Sequence, residues 1–113
     1  MRRLVQSQQA LWSHLEKAGD RLVVIEFYSN MDERCKDMNP KVEEIANTSP
    51  NVVFIKIDIE KNRDITDEFD VIPDVQDPQL PVFVFMKNKL RIDEMYGETN
   101  CSKLKGLVEK HGE

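Results

Sequence analysis

The chain is poor in the residues that build disulfide frameworks and metal sites, because its 113 residues include only two cysteines and two histidines. Two thiols are too few for the disulfide network that stabilises many small secreted domains, so we expect a reducing, cytoplasmic compartment. The histidines, His14 and His111, lie far apart in the sequence. The sequence therefore offers few residues for a Cys/His metal site or a Cys–His catalytic pair, and we expect neither a metal ion nor a cofactor.

Positive charge and long apolar runs are also scarce. Lys and Arg total 16 against 21 Asp and Glu, which gives a net charge of −5. A globally acidic domain is a poor match for a phosphate backbone, so we do not expect nucleic acid as a partner. No apolar run approaches the ~20 residues needed to cross a bilayer, and the basic start of the chain lacks the apolar segment of a secretory signal. We expect no membrane association.

Glycine and proline are present in ordinary numbers, four and five, which excludes a fibrous repeat and does not indicate disorder. The length fits one compact domain, which we predict to comprise residues 1–113.

The spacing of apolar residues alternates between helical and strand periods. Four helices are predicted. The first carries Leu11, Trp12, Leu15 and Ala18 on one stripe and ends at Gly19, and the second starts at Asp32 or Glu33 and is kinked at Pro40. The third covers residues 64–69, and the fourth begins after Thr99 or Asn100. Strands are predicted over 22–28, 52–59, 82–86 and 90–96, with a short one at 4–5 and a tight turn at 87–89. This order predicts an α/β domain of three layers, with a mixed central sheet of four to five strands flanked by four helices.

A series of short motifs points to one known family. The series comprises the strand of residues 21–27, Cys35-Lys36, Pro40, Asn51-Val52-Val53-Phe54, Asp58, Leu80-Pro81 before an apolar strand, and Gly97. In this order and spacing the motifs resemble the thioredoxin family, in its animal-type form. The resemblance extends over the whole chain, with one insertion, residues 73–79, before Pro81. It implies the thioredoxin fold.

The chain departs from that family at the active site. The family carries Trp-Cys-Gly-Pro-Cys at the start of its second helix, where this sequence reads Met31-Asp32-Glu33-Arg34-Cys35. In dithiol chemistry the first thiolate attacks the substrate disulfide and the second resolves the mixed disulfide. Asp32 replaces the attacking cysteine, and a carboxylate does not perform thiol–disulfide exchange. We therefore expect little or no dithiol–disulfide reductase activity.

Cys35, the retained thiol of the resolving type, has two interpretations. A helix N-terminus favours a thiolate, whereas the neighbouring Asp32 and Glu33 disfavour it, and Arg34 and Lys36 partly offset them. Cys35 also shares a stripe with apolar residues of the same predicted helix, which should turn it inward. It is then either a buried thiol that behaves as a small apolar residue, or the centre of a monothiol redox protein that forms mixed disulfides or accepts glutathione.

Glu26 lies inside an apolar strand, where an ionised carboxylate is costly unless it has a partner. The resemblance implies a buried acid that exchanges protons with the resolving cysteine. We predict a pKa raised by desolvation. Two roles stay open: residual proton transfer to Cys35, or a retained polar group that is hydrogen-bonded to water or to Lys56.

Cys101 lies at the first turn of the last predicted helix. The resemblance places the loop of Gly97 on the rim of the active face, which would bring Cys101 near Cys35, although a disulfide needs Cα atoms within ~7 Å. One interpretation is a small residue on an apolar stripe. The other is a thiol open to redox modification or to an intermolecular disulfide, which would give a linked homodimer.

The resemblance also implies a peptide-binding groove beside a cis-proline at Leu80-Pro81. Capture there is by strand addition, in which backbone hydrogen bonds supply affinity, so it requires no nucleophile. The insertion, with Asp74 and Asp77, is expected to overhang this groove. It either forms an acidic rim that attracts basic partners or is an ordinary solvated loop. The residues expected to contact a peptide are Met31, Leu80, Pro81 and Gly97.

Three functions follow as hypotheses. The first is a binding module that has lost dithiol catalysis and keeps recognition of a protein or peptide, and the missing first cysteine favours it. The second is a monothiol oxidoreductase that uses Cys35. The third is a structural subunit that interacts through surfaces away from the groove. A homodimer, disulfide-linked or non-covalent, is compatible with all three.

Overall fold

A computed structural model describes residues 2–97 and 100–112. Its elements in chain order are β1 (Arg2–Leu4), α1 (Gln8–Ala18), β2 (Val23–Tyr28), α2 (Glu33–Asn47), β3 (Val53–Asp58), α3 (Arg63–Phe69), β4 (Val82–Lys87), β5 (Leu90–Tyr96) and α4 (Cys101–His111). The strands form one sheet in the order β1-β3-β2-β4-β5. The first three strands run parallel, and β4 is antiparallel to both β2 and β5. The prediction of an α/β domain with a mixed sheet of four to five strands and four helices is confirmed.

Helices cover both faces of the sheet, which explains the nearly continuous apolar strands. All six residues of β2 are buried, as expected for a strand with a helical layer on each side. Leu11 and Leu15 of α1 and Ile65 of α3 pack on one face. Val42 of α2 and Leu104 of α4 pack on the other. Side chains of α2 contribute to both clusters, and the first turn of α2 follows the end of β2 by a short turn.

Several predicted boundaries and faces differ from the structure in detail. Trp12 is exposed although its spacing placed it with the apolar stripe, because it lies at the edge of the buried arc that Leu11 and Leu15 define. The short first strand is β1 rather than residues 4–5, since its pairing with β3 begins at Arg2. Helix α2, by contrast, begins at Glu33 and contains Pro40 as predicted, and it ends at Asn47.

The tight turn between β4 and β5 consists of two residues, Asn88 and Lys89, which have φ angles of 53° and 66°. Two left-handed residues in succession match the right-handed twist of the paired strands. None of the helices within 2–97 and 100–112 has the length and apolar character that spanning a bilayer requires.

Candidate functional site

The site forms where β2 ends and α2 begins, and Asp32 occupies its centre. Asp32 is the N-cap of α2, and its Oδ1 accepts a hydrogen bond of 2.8 Å from the backbone N–H of Arg34. The Arg34 guanidinium also donates to Oδ2 at 2.7 Å. This side-chain hydrogen bond is the main cause that lowers the pKa of Asp32 below its ordinary value. The N-cap position of α2 is thus occupied by a charged carboxylate that holds an arginine.

Cys35 lies one turn further along α2 and faces inward, as its spacing predicted. It is 2% exposed and packs in the apolar cluster beneath α1 and α3. Burial raises its pKa to about 11, and the carboxylates of Asp32 and Glu26 act in the same direction. A backbone hydrogen bond at Ser29 opposes the shift only in part. At neutral pH the side chain is therefore a protonated, enclosed thiol, which is a poor nucleophile.

Glu26 is 1% exposed and is partnered by Arg2, not by Lys56 as one interpretation expected. Arg2 Nη1 donates to Glu26 Oε1 at 2.7 Å. The Lys56 ammonium instead lies 4.7 Å from the ring centroid of Tyr28. Burial raises the pKa of Glu26, the direction that the sequence predicted, and Arg2 opposes the rise. Oε2 of Glu26 makes no hydrogen bond with the residues that the structure describes.

The four residues expected to contact a peptide differ in what they offer a ligand. The Leu80–Pro81 peptide bond is cis, and both side chains are buried, so only their backbone can face a peptide. Met31, by contrast, is 85% exposed. Gly97 donates its backbone N–H to Pro81 O at 3.1 Å. It has a φ of 65°, and a Cβ there would lie 3.1 Å from Gln79 Oε1, so both conformation and space favour glycine.

The insertion of residues 73–79 is tied to the start of α2 by a contact that the sequence did not indicate. Arg34 Nη2 donates to Pro78 O at 3.0 Å while the same guanidinium holds Asp32. Arg34 therefore joins the start of α2 to the segment that precedes the cis-proline. Asp74 and Asp77 are exposed on this loop, as is Val75, at 76%. A cavity of about 230 Å³ lies between the loop and α3, lined by Ile59, Glu60, Arg63, Thr66, Asp67, Ile72, Val75 and Pro78.

Cys101 and Cys35 pack in different apolar clusters, so the expected closeness of the two thiols is not observed as a shared contact. Cys101 lines a cavity with residues of the second half of α2, among them Lys41, Glu44 and Ile45. Both thiols are free. Within the described part of the chain, no group of three or more His, Cys, Asp or Glu side chains could hold a metal ion.

Known proteins with similar sequence and structure share this architecture. A family model described as Thioredoxin matches residues 3–110. Thioredoxin-T of Drosophila melanogaster is 37% identical over 108 residues, which are 95% of this chain and 64% of that protein. Thioredoxin-like 1-2, chloroplastic, of Arabidopsis thaliana is 34% identical over 96% of this chain. The chain spans 42% of the length of that second relative, so it covers less than two thirds of either.

A solved structure described as the X-ray structure of Fasciola hepatica thioredoxin superposes with a TM-score of 0.87 at 28% identity, and 96% of this chain and 98% of that one are covered. The shared sheet order, the motif series and the family match over nearly the whole length lead to one conclusion. The chain belongs to the thioredoxin family.

Proposed function

We propose that this thioredoxin-family protein has little or no dithiol–disulfide reductase activity and acts in the cytoplasm chiefly by binding a protein or peptide. The observation that carries the proposal is the state of Asp32. Its carboxylate takes the place of the attacking thiolate, caps α2 and is held by Arg34. Disulfide reduction needs a sulfur nucleophile at that position, whereas recognition of a peptide does not.

The surface offered to a partner combines apolar and acidic groups. Met31 and Val75 are its exposed apolar side chains, from the turn before α2 and from the insertion. Glu33, Asp74 and Asp77, from the start of α2 and from the insertion, are exposed as well. We refer to these five residues as the recognition face. Its composition favours a peptide that carries both apolar and basic residues, because apolar contacts supply affinity and opposite charge speeds association.

The alternative function, a monothiol redox protein, depends on Cys35 as an accessible thiolate. Its burial and a pKa raised to about 11 by that burial weigh against this role. A partner disulfide or glutathione would have to reach a sulfur that is enclosed by the core. Redox chemistry fits the family as a whole, and the following experiment separates it from simple binding.

Reduction of insulin disulfides is the direct test of the missing activity. With excess dithiothreitol, the wild-type protein is expected to precipitate insulin no faster than dithiothreitol alone, and Cys35→Ser is expected to leave the rate unchanged. A dithiol thioredoxin run in parallel supplies the positive control. A rate above the reductant background that disappears in Cys35→Ser would instead establish monothiol catalysis and overturn the proposal.

The binding part of the proposal predicts that recognition depends on Met31. Peptides selected from a display library on the wild-type protein are expected to contain apolar and basic residues, and Met31→Asp is expected to weaken their binding by about tenfold or more. Leu90→Asp is the matched control, because Leu90 is 67% exposed on the β4–β5 hairpin. Equal losses in the two variants, measured by fluorescence anisotropy, would place the binding site elsewhere.

A further inference from the structure

A second concave site lies at the β1 edge of the sheet, between α1 and the end of α2. The cavity measures about 520 Å³, within the usual range for small-molecule sites. The residues that line it are Arg3, His14, Lys17, Arg21, Ala46, Ser49, Pro50, Val52, Val53 and Phe54. The site is separate from the recognition face, since it lies at the start of β3 whereas β2 and β3 end at the turn before α2.

The charges around this cavity have one sign. Arg3 comes from β1, Lys17 from α1 and Arg21 from the segment that follows α1, and the titratable ring of His14 also comes from α1. The lining residues from α2, from β3 and from the segment between them carry no charge, and no Asp or Glu of the described ranges 2–97 and 100–112 lines the cavity. In a chain with a net charge of −5, this concentration of positive groups is unusual and generates a local field that attracts anions.

The cationic side chains are also available to a ligand. Within residues 2–97 and 100–112, no ion pair joins Arg3, Lys17 or Arg21 to a carboxylate. Arg21 is held in place, because its Nε donates to Ala18 O at 3.2 Å and its Nη2 to Lys17 O at 3.4 Å. Those two bonds do not use its Nη1 group. A guanidinium that is fixed in this way loses little freedom when it binds an anion.

The state of His14 agrees with a positive field inside the cavity. Burial is the first cause that lowers the pKa of His14, and the neighbouring charges of Arg3 and Lys17 lower it further. The charged groups that face the ring from β1 and α1 are thus cations, and the lining from α2 and β3 is neutral. A bound anion would reverse the electrostatic part of this effect and raise the pKa of His14.

We propose that this cavity binds a phosphorylated small molecule, with its phosphates on the basic side chains and its organic part against the apolar lining. Phosphate is favoured over a single carboxylate because it carries more charge and accepts paired hydrogen bonds from arginine. Val52, Pro50 and Ala46 provide the apolar surface for the rest of the ligand. The size of the cavity suits one small molecule rather than a strand of nucleic acid.

Calorimetric titrations with three probes test the chemistry of the site. ADP is expected to bind more tightly than pyrophosphate, and adenosine, which has no phosphate, is expected not to bind at the same concentrations. In NMR spectra ADP should shift the resonances of the cavity residues and raise the pKa of His14, because the bound phosphates stabilise the imidazolium. Absence of ADP and pyrophosphate binding at millimolar concentration, or equal binding of adenosine, would overturn the proposal.

A pair of lysine variants with the same change in net charge tests the location. Lys17→Glu is expected to weaken ADP binding by about tenfold or more, because it places a carboxylate inside the cavity. Lys61→Glu is the control: Lys61 is exposed after β3, at the opposite end of that strand. The affinity of Lys61→Glu for ADP should stay within about twofold of the wild-type affinity. Losses of equal size in both variants would show attraction to net charge alone and would overturn the cavity as the site.

Discussion

Replacing Asp32 with cysteine is expected to raise the disulfide reductase activity of this protein above the wild-type level. The new thiol would occupy the N-cap of α2, where the helix N-terminus stabilises a thiolate. It would stand three residues before Cys35, in the spacing of the family's dithiol motif. Arg34, which now holds the Asp32 carboxylate, would lie beside the new sulfur and lower its pKa further.

Each of the two steps of disulfide reduction then has a thiol to perform it. The thiolate introduced by Asp32→Cys attacks the substrate disulfide, which forms a mixed disulfide and releases one substrate thiolate. Cys35 gives up its proton and attacks that mixed disulfide, which releases the second substrate thiolate and leaves an intramolecular disulfide for dithiothreitol to reduce. Because burial raises the pKa of Cys35 to about 11, the resolving step should be slow, and we expect a rate below that of a dithiol thioredoxin.

Insulin reduction by Asp32→Cys should exceed that of Asp32→Ser by about tenfold. Asp32→Ser is the matched control because it removes the same carboxylate and keeps a side chain that can cap the helix. Adding Cys35→Ser to Asp32→Cys should trap the mixed disulfide, which mass spectrometry detects. A folded Asp32→Cys protein without activity would mean that Glu33, Arg34 or the insertion also obstructs the site.

The fold could be predicted from the sequence because its signals are local or continuous along the chain. The strand-length apolar runs and helical stripes gave the elements to within a few residues, and the predicted end of α1 at Gly19 is observed. The inward orientation of Cys35 followed from the same reasoning, since burial of a helix face is a property of spacing. Predicting these features does not require knowing which residues distant in the sequence come into contact.

The contacts that define the site could not be predicted in the same way. Glu26 pairs with Arg2 across 24 positions, and Arg34 reaches Pro78 across 44. A long side chain such as that of arginine can reach hydrogen-bond partners throughout a wide volume, and which partner it contacts depends on the final packing. The packing of Cys101 could not be predicted for a related reason, because the order of elements along the chain does not determine which side chains of α2 the first turn of α4 meets.

The Arg2–Glu26 pair is expected to make a large contribution to stability, and Arg2→Met tests it. Both side chains are buried, and Glu26 is left without a charged neighbour at hydrogen-bonding distance when Arg2 is removed. Breaking a buried pair by deleting one partner typically costs 3–5 kcal/mol, because an uncompensated charge remains in the core. We therefore expect Arg2→Met to lower the free energy of unfolding by about 3 kcal/mol near pH 8.

The loss should depend on pH. The pKa of Glu26 is already raised in the folded protein above its ordinary value of 4.5, and Arg2 opposes that rise. Without Arg2 the pKa rises further, so the folded variant retains a proton that the unfolded chain has released. Its stability is then highest below the unfolded pKa and falls as the pH rises through the folded pKa. Urea unfolding should show a clearly smaller loss at pH 5 than at pH 8.

Two further variants assign the effect to Glu26 rather than to the other contacts of Arg2. Arg2 Nε also donates to Glu43, a partly exposed partner whose removal in Glu43→Gln should cost less than about 1 kcal/mol. Arg2→Met combined with Glu26→Leu removes both buried charges and should recover most of the lost stability at pH 8. An equal loss for Arg2→Met at both pH values, without recovery in the double variant, would instead assign the role of Arg2 to packing against α2. Recovery would establish that apolar packing can replace the ion pair, and that the uncompensated charge of Glu26 causes the loss of stability in Arg2→Met.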